Sequence, residues 1–176
     1  MGPNLTDHAS GIFWGAFVLF AATTASIFSG AVIERIRMSS FLILAIILGS
    51  VLWILAASWG WHPDGWLTTD LGLHDFGAAG CVHMVAGFFA FGVTINLGAR
   101  IGRFAKDGTP IDIKGHNMPM AVIGLMLIIV GFFGFLGGCM IYDGSGWTTI
   151  YGTPVTLSAI SFNTLMAASG GIIGAY

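Results

Sequence analysis

Asp75-Phe76-Gly77-Ala78-Ala79-Gly80-Cys81-Val82-His83-Met84-Val85-Ala86-Gly87 opens an apolar stretch, residues 76–97, that holds a single histidine. The stretch is long enough for a membrane helix, which needs roughly 20 mostly apolar residues. Read as a helix from its first residue, eight steps of about 1.5 Å set His83 roughly 12 Å below Asp75. That depth is near the middle of a hydrocarbon core about 30 Å thick. An ionisable side chain held there is costly and marks a pathway, a relay or a pocket. Asp75 and His83 therefore carry most of what the chain says about function.

The rest of the sequence agrees with a membrane setting. Of 176 residues, 56% are hydrophobic and only 8% are charged, whereas a soluble domain carries about a quarter charged residues. The 27 glycines suit close packing between membrane helices. Five segments are long enough to span, at about residues 13–33, 41–61, 76–97, 118–141 and 155–176. The fold class expected is all-α, a polytopic transmembrane helix bundle. Residues 1–12 contain no Lys or Arg, so a cleavable signal with a basic start is not expected.

All six basic residues fall in two loops: Arg35 and Arg37 after the first span, and Arg100, Arg103, Lys106 and Lys114 after the third. The positive-inside rule makes that side cytoplasmic, which puts the N-terminus outside and the C-terminus inside. The outer loops then carry Asp64, Asp70, Asp75 and Asp143 with no basic residue. With Trp59, Trp61, Trp66, Trp147 and Tyr151 beside them, they suit a vestibule that attracts cations; an interfacial aromatic belt explains the Trp residues equally well. Net charge is −2 and the basic residues are dispersed, so nucleic acid is not an expected partner. Cys81 and Cys139 both lie in apolar spans and read as packing residues. No cofactor and no metal site are expected.

Each polar residue has two readings. Asp75 is a helix cap accepting backbone N–H bonds, or a carboxylate that holds a cation at the outer mouth. His83 is a neutral core histidine satisfied by a neighbouring helix, or a pore-lining imidazole that relays a proton or hydrogen-bonds a small polar substrate. Phe13, Phe17 and Phe20 fall at helical spacing and read as a packing stripe; an aromatic box for a cation needs two or three converging rings. Asn117 and Pro119 read as the cap and first turn of the fourth span. Glu34 and Arg35 read as an ion pair, and Asn163 and Thr164 as interhelical hydrogen-bonding residues.

In order and spacing, these residues resemble the ammonium transporters (Amt/Mep/Rh). The resemblance rests on Ala21-Ala22-Thr23 and Ser29-Gly30-Ala31-Val32-Ile33-Glu34-Arg35-Ile36, on Asp75-Phe76 with His83 eight residues beyond Asp75, and on Leu97-Gly98-Ala99-Arg100. His116-Asn117-Met118-Pro119, Gly131-Phe132-Phe133-Gly134-Phe135 and Phe162-Asn163-Thr164 extend it over nearly the whole chain. The family has eleven spans, and these five look like its third to seventh.

The resemblance implies a trimer with a narrow hydrophobic pore in each subunit. Ammonium is recruited outside, loses a proton, and crosses as ammonia past two stacked histidines. By position, Asp75 is similar to the mouth aspartate and His83 to the first pore histidine. Trp61 and Phe20 are similar to members of the outer aromatic site, with Phe17 offering an extra ring. Phe135 is similar to the second ring of the phenylalanine gate. Phe132 stands where the family's usual tryptophan precedes Phe-Gly-Phe, Leu136 where an asparagine follows it, and Cys139 where bacterial members often have a serine. The signature Asp-Phe-Ala-Gly-Gly is Asp75-Phe-Gly-Ala-Ala here, and the second pore histidine belongs to a later span that these residues do not include. Implied partners are ammonium and ammonia, the lipid bilayer, further copies forming a homotrimer, and a PII-type regulatory protein on the cytoplasmic side. The implied location is the plasma or inner membrane.

A transport role, not an enzymatic one, is therefore expected, in a piece of a longer protein. The alternative on the same fold is a regulatory module that binds ammonium and signals instead of conducting. A haem cytochrome needs a second histidine at matching depth, but His8, His62, His74 and His116 all lie at span ends or in loops. A protease built on Gly144-Ser145-Gly146 fares worse, because Ser145 lies in an outer loop.

Overall fold

The computed structural model describes residues 8–175. The side chains of His8 and Phe13, which entered the reading of the first span, lie outside what it describes, as do residues 1–7 and Tyr176. The chain forms two compact units, Met1–Ile113 and Lys114–Tyr176. Among the described residues, five helices are long and apolar enough to cross a membrane: Trp14–Val32, Met38–Gly60, Ala79–Leu97, Met118–Gly138 and Leu157–Ala175. Between 6% and 22% of each span's most apolar window is buried within the protein, which leaves long apolar faces outward, as a hydrocarbon solvent requires. The all-α membrane bundle read from composition is the observed architecture.

In the first unit, α1 (His8–Val32) is followed by a helix built of α2 (Met38–Ile47), a π-helical turn at Leu48–Leu52, and α3 (Trp53–Gly60). A single turn, α4 (Trp66–Thr69), lies in the loop before a second π-helical segment, Ala79–Met84, which leads into α5 (Val85–Leu97). The core is small. Phe28, Val32, Leu48 and Ala90 are buried together, with the Phe28 ring stacked on Phe41 at 5.7 Å and edge-on to Phe89 at 5.0 Å. Ala86 and Thr24 are fully buried as well, and the Thr24 hydroxyl is satisfied by donating to the Phe20 carbonyl of its own helix at 2.8 Å. Small residues allow this closeness: a Cβ on Gly49, in the first π turn, would lie 3.3 Å from the Ala21 carbonyl oxygen of α1.

Helices α1 and α5 end side by side. Glu34, with φ of 65° just past α1, accepts from Arg100 Nε at 2.8 Å, and Arg35 donates to the Gly98 carbonyl at 2.7 Å. The expected Glu34–Arg35 pair is thus replaced by a clamp between two loops. Neighbours in sequence at a helix end point apart, whereas the parallel ends of the first and third spans bring Arg100 to Glu34. Both members are over a third exposed, so the pair itself contributes at most about 1 kcal/mol.

In the second unit, α6 (Met118–Gly138) starts as expected: Asn117 is its N-cap and accepts from the Met120 N–H at 3.0 Å, with Pro119 in the first turn. It ends in a short hairpin that the sequence reading did not include. There β1 (Ile141–Tyr142) pairs antiparallel with β2 (Trp147–Thr148), and the Tyr142 and Trp147 rings meet edge-on at 5.4 Å. Asp143 Oδ1 accepts from the N–H groups of Ser145 and Gly146 and from the Ser145 hydroxyl. Those donors hold the Asp143 carboxyl below the usual carboxylate range and give Ser145 a turn-forming role. Helix α7 (Leu157–Ala175) follows. Thr164 donates to Ile160 in its own helix at 2.8 Å; among the described residues it makes no interhelical bond, because a membrane threonine can satisfy itself one turn back.

Gly65 caps α4 where the chain doubles back on the end of α3, and a Cβ there would fall 2.3 Å from the Trp59 carbonyl oxygen. Gly65→Ala is predicted to destabilise the first unit by about 2 kcal/mol, seen as a lower midpoint of thermal unfolding in detergent. Gly87→Ala, whose added Cβ meets nothing within 4 Å, should leave that midpoint unchanged or raise it.

Candidate functional site

The mouth of the third span is built around a carboxylate. Asp75 is 6% exposed, and its Oδ2 accepts from the N–H of Gly80 at 3.1 Å and of Cys81 at 2.7 Å. These are two of the N–H groups that a helix start leaves without internal partners. The residue in the cap position is Ala78, in a left-handed conformation with φ 63° and ψ 17° and no side-chain bond of its own. The capping read for Asp75 is therefore made from three residues further upstream, across the turn at Phe76–Ala78.

This changes the geometry expected of His83. The helix begins at Ala79, not Phe76, and its first turn is π-helical, so eight helical steps do not separate Asp75 from His83. His83 sits four steps beyond Ala79, about 6 Å along the axis. Its N–H, with that of Val82, donates to the Ala78 carbonyl at 3.1 Å. The π turn rotates the residues that follow it relative to an α-helical start, and such turns frequently occur at functional positions. The His83 side chain is exposed on the surface of the first unit.

Asp75 also fixes an aromatic cluster. Its backbone carbonyl accepts from Trp61 Nε1 at 2.9 Å, which pins the indole at the end of α3. The Phe20 ring meets Trp61 edge-on at 4.9 Å, Phe17 lies 6.1 Å from it, and Trp53 lies 6.2 Å from both Trp61 and Phe17. Trp61 and Phe20, singled out from the sequence, are thus brought together, and Phe17 is the extra ring. Trp53 was missed. It is 4% exposed, and its indole N–H has no hydrogen-bond partner among the described residues. Its spacing from Trp61, two helical turns, was the available signal. Converging rings beside a carboxylate form the kind of surface that attracts a small cation.

Beneath the cluster, Cys81 Sγ approaches the Ala56 carbonyl at 3.8 Å and lies where a Cβ on Gly60 would come within 2.7 Å of it. The thiol packs the π turn against α3. The remaining candidates belong to the second unit. Phe132 and Phe135 have ring centroids 6.2 Å apart, and Cys139 terminates α6, its N–H donating to the Phe135 carbonyl at 3.1 Å. Within that unit these three residues form one group at the end of α6.

A sequence model of the Ammonium Transporter Family matches residues 4–176. The chain belongs to the ammonium transporter family. Ammonium transporter Amt2 of Methanocaldococcus jannaschii is 36% identical over 175 residues, covering 98% of this chain and 37% of that protein. Ammonium transporter Amt2 of Archaeoglobus fulgidus is 33% identical over 171 residues, 92% of this chain and 34% of that protein. Ammonium transporter 1 member 3 of Solanum lycopersicum is 32% identical over 170 residues, 88% of this chain and 36% of that protein. The chain thus spans about a third of the length of the curated relatives it matches. No solved structure matches it significantly.

Ala78, a residue with a Cβ, is held in a left-handed conformation. The left-handed region costs a residue with a Cβ roughly 1–2 kcal/mol, partly offset by the greater freedom of glycine in the unfolded chain. Ala78→Gly is predicted to stabilise the first unit by about 1 kcal/mol, measured by chemical unfolding in detergent. In the same assay Asp75→Ala, which strips the N–H groups of Gly80 and Cys81 of their acceptor, should cost about 1–3 kcal/mol. Asp75→Asn, which keeps an acceptor oxygen, should recover most of that loss.

Proposed function

We propose that this chain forms the recruiting mouth and the first half of the conduction path of an ammonium transporter. The observation that carries the reading is the edge-on meeting of Phe20 and Trp61 at 4.9 Å, next to the backbone and carboxylate of Asp75, in a member of this family. Aromatic faces attract a cation of the size of ammonium by their quadrupole. The Asp75 carboxylate adds negative potential without leaving its capping position. Ammonium gives up its proton to water at this mouth and continues as ammonia, which an apolar pore admits far more readily than an ion.

His83 is the group that receives the neutral molecule. A neutral imidazole offers one N–H donor and one acceptor nitrogen, which complements the lone pair and the N–H bonds of ammonia. Its one acceptor nitrogen would replace only one of the several water oxygens that a metal cation loses on entering an apolar pore. Phe135 serves as one ring of the gate, with Phe132 beside it at 6.2 Å, and Cys139 supplies a weaker hydrogen-bond partner than a hydroxyl would. The side bearing Arg35 and Arg100 is the cytoplasmic side by its excess of basic residues. The N-terminus then lies outside and the C-terminus inside, in the plasma or inner membrane. A homotrimeric assembly and docking of a PII-type protein on the basic side are part of the same proposal. No observation favours the signalling alternative.

The test joins this chain to the remaining two thirds of a curated relative and expresses it in cells lacking other ammonium uptake. Growth on limiting ammonium is the readout. His83→Ala and Trp61→Leu are expected to abolish or sharply reduce growth at normal expression. Unchanged uptake in His83→Ala would overturn the role given to the imidazole. Asp75→Asn should reduce uptake while the protein still accumulates in the membrane; full uptake by Asp75→Asn would limit Asp75 to capping.

A further inference from the structure

The π turn in the middle of the second span decides which way Trp53 faces. The backbone N–H of Trp53 donates to the Leu48 carbonyl, five residues back, so the two residues sit one turn apart on the same side of the helix. Five steps of a regular α-helix would turn Trp53 about 140° away from Leu48. With the wider turn, Leu48 enters the core beside Phe28 of α1, and Trp53 follows it inward. Leu52, which an α-helical turn would have placed there instead, is exposed.

Trp53 thus reaches the aromatic cluster, 6.2 Å from Phe17 and from Trp61. It brings an indole N–H that is buried with no acceptor among the described residues. A buried donor left in this way is costly. Trp61 cannot answer it, because an indole N–H only donates, and that of Trp61 is committed to the Asp75 carbonyl.

We propose, on the recruiting-mouth reading above, that Trp53 is a further substrate-contacting residue, whose N–H donates to the lone pair of ammonia once ammonium has given up its proton to water. Every valence of ammonium is an N–H bond, so the donor edge of the indole offers the cation nothing. Water has lone pairs, but a buried water needs about two to four polar partners, and the neighbouring rings supply none. Ammonia spends its single lone pair on the indole N–H and rests its own N–H bonds on ring faces. The rings therefore hold the cation, while Trp53 favours the neutral product and weakens the grip of the bound molecule on its proton.

Initial uptake of isotope-labelled ammonium by the joined protein of the preceding test, taken per amount in the membrane over a range of outer pH, decides this. Trp53→Phe keeps a ring, removes the donor, and leaves the titratable groups around the cluster in place. Those are Asp75, Cys81 and His83 at the start of the third span, and His62, Asp64, Asp70 and His74 in the loop before it; α1 carries none between residues 9 and 32. At mildly acid pH the maximal rate of Trp53→Phe should fall about fivefold, the net worth of one hydrogen bond, with an unchanged half-saturating concentration. As outer pH rises toward the pKa of ammonium, deprotonation ceases to limit and the deficit should close. Trp53→Tyr, which restores a donor at the ring edge, should recover most of the rate. A Trp53→Phe protein that matches the parent at every pH would overturn the proposal. So would a deficit of one size at every pH, which marks a packing role, or a Trp53→Tyr protein no better than Trp53→Phe. Normal uptake by Trp61→Leu, measured alongside, would sink the recruiting mouth and the role of Trp53 with it. Loss of uptake in Trp61→Leu beside a parent-like Trp53→Phe would remove Trp53 alone.

Discussion

The carboxylate of Asp75 holding the N–H groups of Gly80 and Cys81 is the contact on which the mouth of this protein depends. A helix start buried in an apolar setting cannot leave its N–H groups to water, so an acceptor must be supplied from the chain. Here the acceptor comes from the far side of a tight turn. That choice has three structural effects. It forces Ala78 into the left-handed region, it lets the helix begin as a π turn, and it brings the Asp75 backbone under Trp61. One residue thus sets the start of the third span and the orientation of the indole that anchors the aromatic cluster. The two N–H donors also explain how a carboxylate is accommodated at 6% exposure.

The two ends of the first unit contrast in chemistry. At one end rings converge and the nearby loop carries aspartates. At the other end, arginines tie the ends of α1 and α5 together and line an apolar groove. The core between them consists of a few large side chains and several alanines. A thin core of this kind leaves most apolar surface facing outward, so membrane and neighbouring protein supply the burial that a soluble domain finds within itself.

How much of this was legible in the sequence depends on the range of each interaction. The five spans were readable because length and hydropathy alone decide them, and Asn117 with Pro119 was readable because a cap is local. The start of the third span was misjudged by three residues, because Phe76-Gly77-Ala78 is apolar and only the left-handed Ala78 ends the turn. Glu34 was paired with its neighbour Arg35, but its partner lies 66 residues away, beyond the reach of any local pattern. Phe20 and Trp61 were identified by resemblance to a family, and their contact is a tertiary fact that spacing could not give. Trp53 was overlooked because a tryptophan in the middle of an apolar helix looks like packing until its unpartnered N–H is seen. Phe132, Phe135 and Cys139 belong to the second unit, and the pore roles expected of them rest on family resemblance alone.

The clamp between Glu34 and Arg100 also bears on biogenesis. Glu34 leaves the ribosome 66 residues before its partner, and the second and third spans must be made in between. Until then, Glu34 lacks its Arg100 partner, and Phe28, stacked on Phe41 of α2, lacks its second ring, Phe89 of α5. Insertion of each span and assembly of the unit are therefore separate events in time, with the clamp closing as the late step. A translocation error that left the third span on the wrong side of the membrane would leave Arg100 out of reach, and the unit could not latch. The ion pair, weak as a stabiliser, can thus form only once the third span has put Arg100 on the same side as Glu34.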